Sequence, residues 1–261
     1  MAVASFTVGC AIDLVSTGRN QHHPNAAGNG DFSVPPLPYT IDDVQVTGDL
    51  VMGSRQPVTI STVAKVALLR FAGTQGQQVS MQISDITLGS LEGHSTAIAL
   101  YTPERTPLQT PWSVGSHGGF IDALSLPTTG MYTLVVDPDT TDVGSLTLTL
   151  HNLPPDVPGS LALNGPALTT AVSVPGQNPV LRFSGTAGQQ VTVTVTNNTL
   201  CGVQVFLYGP DMIRLDSFST DSCVKSFNLA TQTLPVTGAY LIVIDPSQEN
   251  LGSFTLSATS P

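Results

Sequence analysis

The chain has 261 residues, room for about two domains of ordinary size, and a net charge of −10 from 18 acidic and 8 basic residues. Only 10% of residues are charged, against roughly 25% in ordinary soluble domains, so Ser, Thr, Asn and Gln must cover much of the surface. No basic stripe is present to neutralise phosphates, which excludes nucleic acid as a partner, and no apolar run reaches the roughly 18 residues of a membrane span.

Fifteen of the acids are Asp, a turn residue, while Glu occurs three times and Lys twice. With 24 Gly and 20 Pro, this is the composition of a turn-rich, all-β protein. The first residues, Met1-Ala2-Val3-Ala4-Ser5, lack the positive start of a secretory signal. Next, Phe6, Val8, Cys10, Ile12 and Leu14 alternate with small or polar residues, which predicts a strand with one apolar face. A polar stretch from Ser16 to Phe32 and the run Pro35-Pro36-Leu37-Pro38 follow it. His22-His23 is a poor metal site, because adjacent residues rarely point to one centre.

From Ile41 onward the chain repeats itself. Leu69-Arg70-Phe71-Ala72-Gly73-Thr74-Gln75-Gly76-Gln77-Gln78-Val79 returns as Leu181-Arg182-Phe183-Ser184-Gly185-Thr186-Ala187-Gly188-Gln189-Gln190-Val191. The stretch Leu126-Pro127-Thr128-Thr129-Gly130-Met131-Tyr132 through Asp137-Pro138 returns at nearly the same offset, from Leu234-Pro235 through Asp245-Pro246. Between and after these phrases lie period-two strands. Ser145-Leu146-Thr147-Leu148-Thr149-Leu150 and Ser253-Phe254-Thr255-Leu256-Ser257 occupy equivalent places, and Val191-Thr192-Val193-Thr194-Val195-Thr196 puts valines on one face and threonines on the other. Such strands have one side in a core and one in water. Each copy reads as about eight short strands, and no stretch has helical periodicity.

The expected fold is therefore all-β, two tandem antiparallel jelly-roll-like sandwiches with an extra N-terminal strand. The expected boundaries are 1–40 for strand and tether, 41–153 for the first sandwich and 154–261 for the second. The junction, His151-Asn152-Leu153-Pro154-Pro155-Asp156-Val157-Pro158-Gly159, is stiffened by its prolines.

Leu181 to Gln190, the strand-and-turn Val205-Phe206-Leu207-Tyr208-Gly209-Pro210-Asp211, and Leu234 through Asp245-Pro246 with Gly252-Ser253-Phe254-Thr255-Leu256 resemble bacterial pre-peptidase C-terminal-like domains. They are similar too to the sandwich repeats of large secreted Rhs-type and surface proteins. The resemblance covers about residues 41–261. It implies jelly-roll-like accessory, adhesive or spacer modules, and no active-site residues to carry over.

The candidate site residues divide by chemistry. Cys201 and Cys223 have no counterparts in the first copy; a disulfide would close a loop of about 22 residues and contribute on the order of 3 kcal/mol, the alternative being two buried thiols. Cys10 shares the apolar face of the leader strand. Asp137, Asp139 and Asp142 could supply oxygens to calcium, as the resemblance suggests near domain junctions, but Asp after a strand is also what a turn requires. No other cofactor is expected. Trp112, the single tryptophan and unmatched in copy two, is the aromatic candidate for a ligand platform, or else covers a core edge. Catalysis is not expected: His117 in Gly115-Ser116-His117-Gly118-Gly119 does not form a nucleophile elbow, and His94 and His151 have no partners in the repeat. The expected function is a secreted or cell-surface structural or adhesive protein. It would self-assemble by strand addition, lending Phe6, Val8, Cys10, Ile12 and Leu14 to a neighbour's sheet edge, and so form a homopolymer. The alternative is an accessory module of a secreted hydrolase that binds polysaccharide or collagen of the extracellular matrix.

Overall fold

The computed structural model describes residues 32–88, 94–154 and 159–260. Their regular structure is β-strand apart from a 3-10 turn at Ile41–Asp43. In the first repeat, β1 (Val44–Asp49), β3 (Val66–Gly73), β8 (Gly130–Pro138), β5 (Thr96–Tyr101) and β6 (Trp112–Val114) form one sheet, in the order β1-β3-β8-β5-β6. The sheet that faces it runs β2 (Arg55–Ile60), β9 (Gly144–Asn152), β4 (Gln78–Ser84), β7 (Gly119–Ser125).

The second repeat has the same plan. Its larger sheet runs β10 (Gly159–Ser160), β12 (Val180–Gly185), β18 (Gly238–Pro246), β14 (Val203–Tyr208), β15 (Arg214–Thr220). Its other sheet runs β11 (Leu168–Val172), β19 (Gly252–Thr259), β13 (Gln190–Thr196), β16 (Phe227–Asn228), with β17 (Gln232–Thr233) also paired to β13. One core gathers inward residues of the first repeat's two sheets, such as Leu69, Ile98 and Leu134 against Val58, Met81 and Leu148. A separate core gathers Leu181, Val205 and Ile242 against Val193, Phe254 and Leu256.

Pairing is mostly antiparallel, but β1 lies parallel to β3 and β10 parallel to β12. Alternation of side chains fixes which face is buried and is silent on strand direction, so this feature had no sequence signal. The valines of β13 behave as expected, with Val191, Val193 and Val195 in the core and the intervening threonines half-exposed. On β9 the expected water-facing row differs: Thr147 and Thr149 are only 8% and 7% exposed. Thr147 stands between Pro57 and Ser84 on the flanking strands, and Thr149 between the longer Arg55 and Gln82, so this inner strand is walled on both sides.

The two repeated phrases recur together because they clip to each other. In the turn after β3, the Gln77 side chain accepts from the Thr74 N–H (2.9 Å) and the Gln77 N–H donates to the Thr74 carbonyl (3.0 Å). The Gly76 N–H donates to the Leu126 carbonyl, and the Leu126 N–H to the Gln77 carbonyl, both at 2.8 Å. Thr186, Gly188, Gln189 and Leu234 reproduce all four bonds in the second repeat. Gly76 and Gly188 have φ of +79° and +81°, a conformation open to glycine at little cost. Gly73 is required for space instead: a Cβ there would lie 2.5 Å from Leu126, and at Gly185 2.2 Å from Leu234.

Behind each clip stands a fully buried tyrosine. Tyr132 stacks on Phe71 with ring centroids 5.4 Å apart, and Tyr240 on Phe183 at 5.3 Å. The Tyr132 hydroxyl donates to the Thr128 carbonyl (2.8 Å) and accepts from the Thr128 N–H (3.2 Å). Tyr240 does the same with Val236, at 2.6 and 3.4 Å.

The first repeat has a further apolar cluster on the outer face of its larger sheet. Val66, Leu68, Ala99, Tyr101 and Val135 are buried there, and Phe32, Tyr39 and Val44 pack on them. Residues 32–40, assigned to the tether by sequence, thus carry two aromatic rings onto the first sandwich. The Arg70 guanidinium lies 4.2 Å from the centre of the Phe32 ring, and the Tyr39 hydroxyl donates to Asp137 (2.9 Å).

Candidate binding cleft

A concavity of about 830 Å³ opens where the β4–β7 edge of the first repeat meets the turn between β18 and β19 of the second. Its size is that of a small-molecule or oligomer site. Three pieces of chain line it. The first is the end of β4 and the turn beyond it, with Gln82, Ser84, Asp85 and Thr87. The second is the turn Gly115-Ser116-His117-Gly118-Gly119 with Phe120 of β7, and the third is Gln248-Glu249.

Local chemistry explains how each piece is held. Asp85 ion-pairs with Arg55, and the Thr87 hydroxyl accepts from the Ser145 N–H at 2.7 Å. Gly118 has φ of +83°, and a Cβ there would fall 2.6 Å from the Ile83 carbonyl oxygen. Only glycine lets this turn close against β4, and the closure sets exposed Ser116 and His117 at the cleft mouth. The Gln248-Glu249 turn is held by Asn250, whose side chain donates to the Ser247 carbonyl (2.8 Å), and by the Ser247 N–H bonded to the Gly202 carbonyl (3.0 Å).

The repeats touch beside the cleft. The Ser80 hydroxyl donates to the Pro175 carbonyl at 2.6 Å, and the Gln82 amide approaches Glu249 at 3.5 Å. Gly176, with φ of +81°, fits against Ser80 and Asp122, where a Cβ would meet them at 2.8 and 3.2 Å. Burial pushes the Asp245 carboxyl above its usual value, and the charge of Asp122 across the contact pushes it further.

The sequence candidates fall in several places. Trp112 is on edge strand β6, half-buried and packed on the first core above Val79, Met81 and Ile121. The ring that lines the cleft is Phe120, which sequence reasoning passed over because its strand alternates too weakly to flag one half-exposed aromatic. Asp137 accepts from Tyr39, whose phenol is driven far up by burial, then by the bond to Asp137 and its charge. Asp142 is buried and bonds the His94 Nδ1 at 2.8 Å; its Oδ2 has no hydrogen-bond partner among the described residues. That bond raises the His94 imidazole above its usual value, against a smaller opposing desolvation. Asp139 is exposed. Among the described residues no group of three or more His, Cys, Asp and Glu side chains is arranged to hold a metal ion.

Cys201 and Cys223 form a disulfide with Cα atoms 4.1 Å apart, joining the two ends of the β14–β15 hairpin. His151 is half-buried, and burial lowers its imidazole. Phe6, Val8, Cys10, Ile12, Leu14, His22 and His23 lie outside the described residues. Among the described residues no helix is long and apolar enough to cross a membrane.

Fold and site together define an all-β chain of facing sheets with a polar cleft where its repeats meet. No family model matches the chain, and no curated protein matches it. Among solved structures it is similar to the pre-peptidase C-terminal domain of collagenase from Bacillus anthracis, at 13% identity and a TM-score of 0.33, over 40% of this chain and 97% of that one. It is similar to the CBM22-1-CBM22-2 tandem domain of Xyn10C from Paenibacillus barcinonensis, at 8% identity and a TM-score of 0.25, over 78% of this chain and 92% of that one. The CUB1-EGF-CUB2 domain of human MASP-1/3 gives 8% identity and a TM-score of 0.24, over 78% and 99%. No site residue passes from these proteins to this chain.

Proposed function

We propose that the protein is a secreted, non-catalytic binding module whose cleft holds a polyhydroxylated polymer, a polysaccharide. The observation that carries this reading is the lining of the cleft. It combines two amides (Gln82, Gln248), three hydroxyls (Ser84, Thr87, Ser116), the Glu249 carboxylate and one aromatic face, Phe120. Amides, hydroxyls and a carboxylate exchange hydrogen bonds with sugar hydroxyls, and a ring packs on the apolar face of a pyranose. Hydrolysis would need two carboxylates free to act as acid and base. Here Asp85 is engaged by Arg55, and Glu249 lies beside the Gln82 amide. The disulfide supports an oxidising compartment, and few surface charges suit a neutral ligand.

Affinity electrophoresis in gels containing soluble glucans, xylans or chitin derivatives tests the reading. At least one polymer retards the protein, and Phe120→Ala weakens that retardation about tenfold, the worth of one stacking contact, with the melting temperature monitored alongside. Retardation that survives in Phe120→Ala and Glu249→Ala, or retardation by collagen alone, defeats it.

A further inference from the structure

The two larger sheets present equivalent outer faces; among the described residues one is covered and the other open. In the first repeat the cross-strand rows are Leu68–Val135–Ala99 and Arg70–Thr133–Tyr101. The segment containing Phe32 and Tyr39 lies over them. In the second repeat the same positions form the rows Val180–Val243–Phe206 and Arg182–Leu241–Tyr208. These rows are the more apolar, with Phe206 where the first face has Ala99 and Leu241 where it has Thr133. Yet Val180, Val243, Phe206, Leu241 and Tyr208 are only half-buried, and Arg182 is exposed. Phe206 and Tyr208 stand 6.1 Å apart, with Arg214 of edge strand β15 5.9 Å from the Phe206 ring.

The short junction accounts for the missing cover. Leu153, just ahead of the second repeat, is already buried on the first, where its N–H bonds the Gln78 carbonyl. Only the stretch 154–158 remains before β10, whereas the longer stretch 32–43 precedes β1. The second repeat cannot supply its own lid from so little chain.

We infer that this open face is a docking site for residues 6–14 of a second copy of the chain. Phe6, Val8, Cys10, Ile12 and Leu14 offer one apolar side of the required kind. They lie upstream of Phe32, where the chain already rests on an outer face of this type. The stretch 15–31 connects the two. A coiled linker of that length averages about 23 Å end to end, shorter than the ~30 Å of a nine-residue strand such as β8. On average the segment therefore stays beside its own first repeat, and the face it covers is that of a second molecule. The contact is head-to-tail and therefore builds a closed ring or an open filament, according to the rotation between subunits. Subunits join by covering a face, where sequence alone suggested adding a strand to an edge. The inference is independent of the cleft.

Sedimentation velocity on the full chain tests it against two variants. Phe206→Ala/Leu241→Thr installs the residues that the first face already uses at those positions, so folding is preserved. The other variant lacks residues 1–16. The full chain associates with rising concentration, and both variants associate at least tenfold more weakly. A synthetic peptide of residues 5–15 binds the truncated chain at one per molecule and does not bind the truncated chain carrying the double substitution. A full chain that stays monomeric, association unchanged in the double variant, or a face that binds polysaccharide and not the peptide would each overturn the inference.

Discussion

Replacing Tyr132 or Tyr240 by Phe removes one oxygen and nothing else, at two sites with no solvent exposure. Each hydroxyl serves both the N–H and the C=O of one residue, Thr128 or Val236. The donated bond is worth about 1 kcal/mol net, and the partly unmet backbone groups add about as much, so each change costs about 2 kcal/mol. The ring stacking on Phe71 or Phe183 is kept. A repeat of this size has an unfolding entropy near ~0.23 kcal/mol per kelvin, so a repeat that unfolds alone loses about 9 °C in Tm. Differential scanning calorimetry is the assay. With the cores separate, two transitions are expected, and each substitution lowers one of them. A shift below about 2 °C, or equal displacement of both transitions by one substitution, would refute the reasoning.

Two further outcomes concern stability. The Cys201→Ser/Cys223→Ser variant loses about 3 kcal/mol by the loop-entropy argument, read as a lower denaturant midpoint for the second repeat alone; free thiols at both positions in purified protein would contradict the bond. His94 has a raised value when folded, because Asp142 favours its charged form. Its contribution is therefore complete below the unfolded value of 6.5 and fades as pH rises through the folded one. The stability gap between the parent and His94→Asn should be open at about pH 5.5 and close toward alkaline pH; a gap constant with pH would remove the ion pair from the account.

Much of the architecture was readable because both repeats state the same local rules. Alternation on β13 and β19 gave the buried faces, and Gly-Thr-x-Gly-Gln marked a turn whose partner phrase could be seen recurring beside it. The cysteine pair could be expected from spacing and from absence in the first copy. What escaped depends on contacts between distant or unpatterned residues. Gln82 and Glu249, 167 positions apart, meet only once both repeats are folded. Phe32 and Tyr39 sit in a proline-containing stretch without periodicity, so nothing in their spacing announces a packed face. Trp112 drew notice for being single, whereas the ring that lines the cleft beside polar groups is Phe120, which no count of residue types singles out.

The lid formed by Phe32 and Tyr39 separates two units that are easily confused. The stretch duplicated in the gene starts near Ile41, but the stretch sealed against water starts earlier, at or before Phe32. Shuffling the first repeat into another protein at the duplication boundary would expose Leu68, Val135 and Tyr101, turning a self-contained block into a sticky one. Inheritance and solubility thus draw their borders at different residues, and a usable fragment must respect the second.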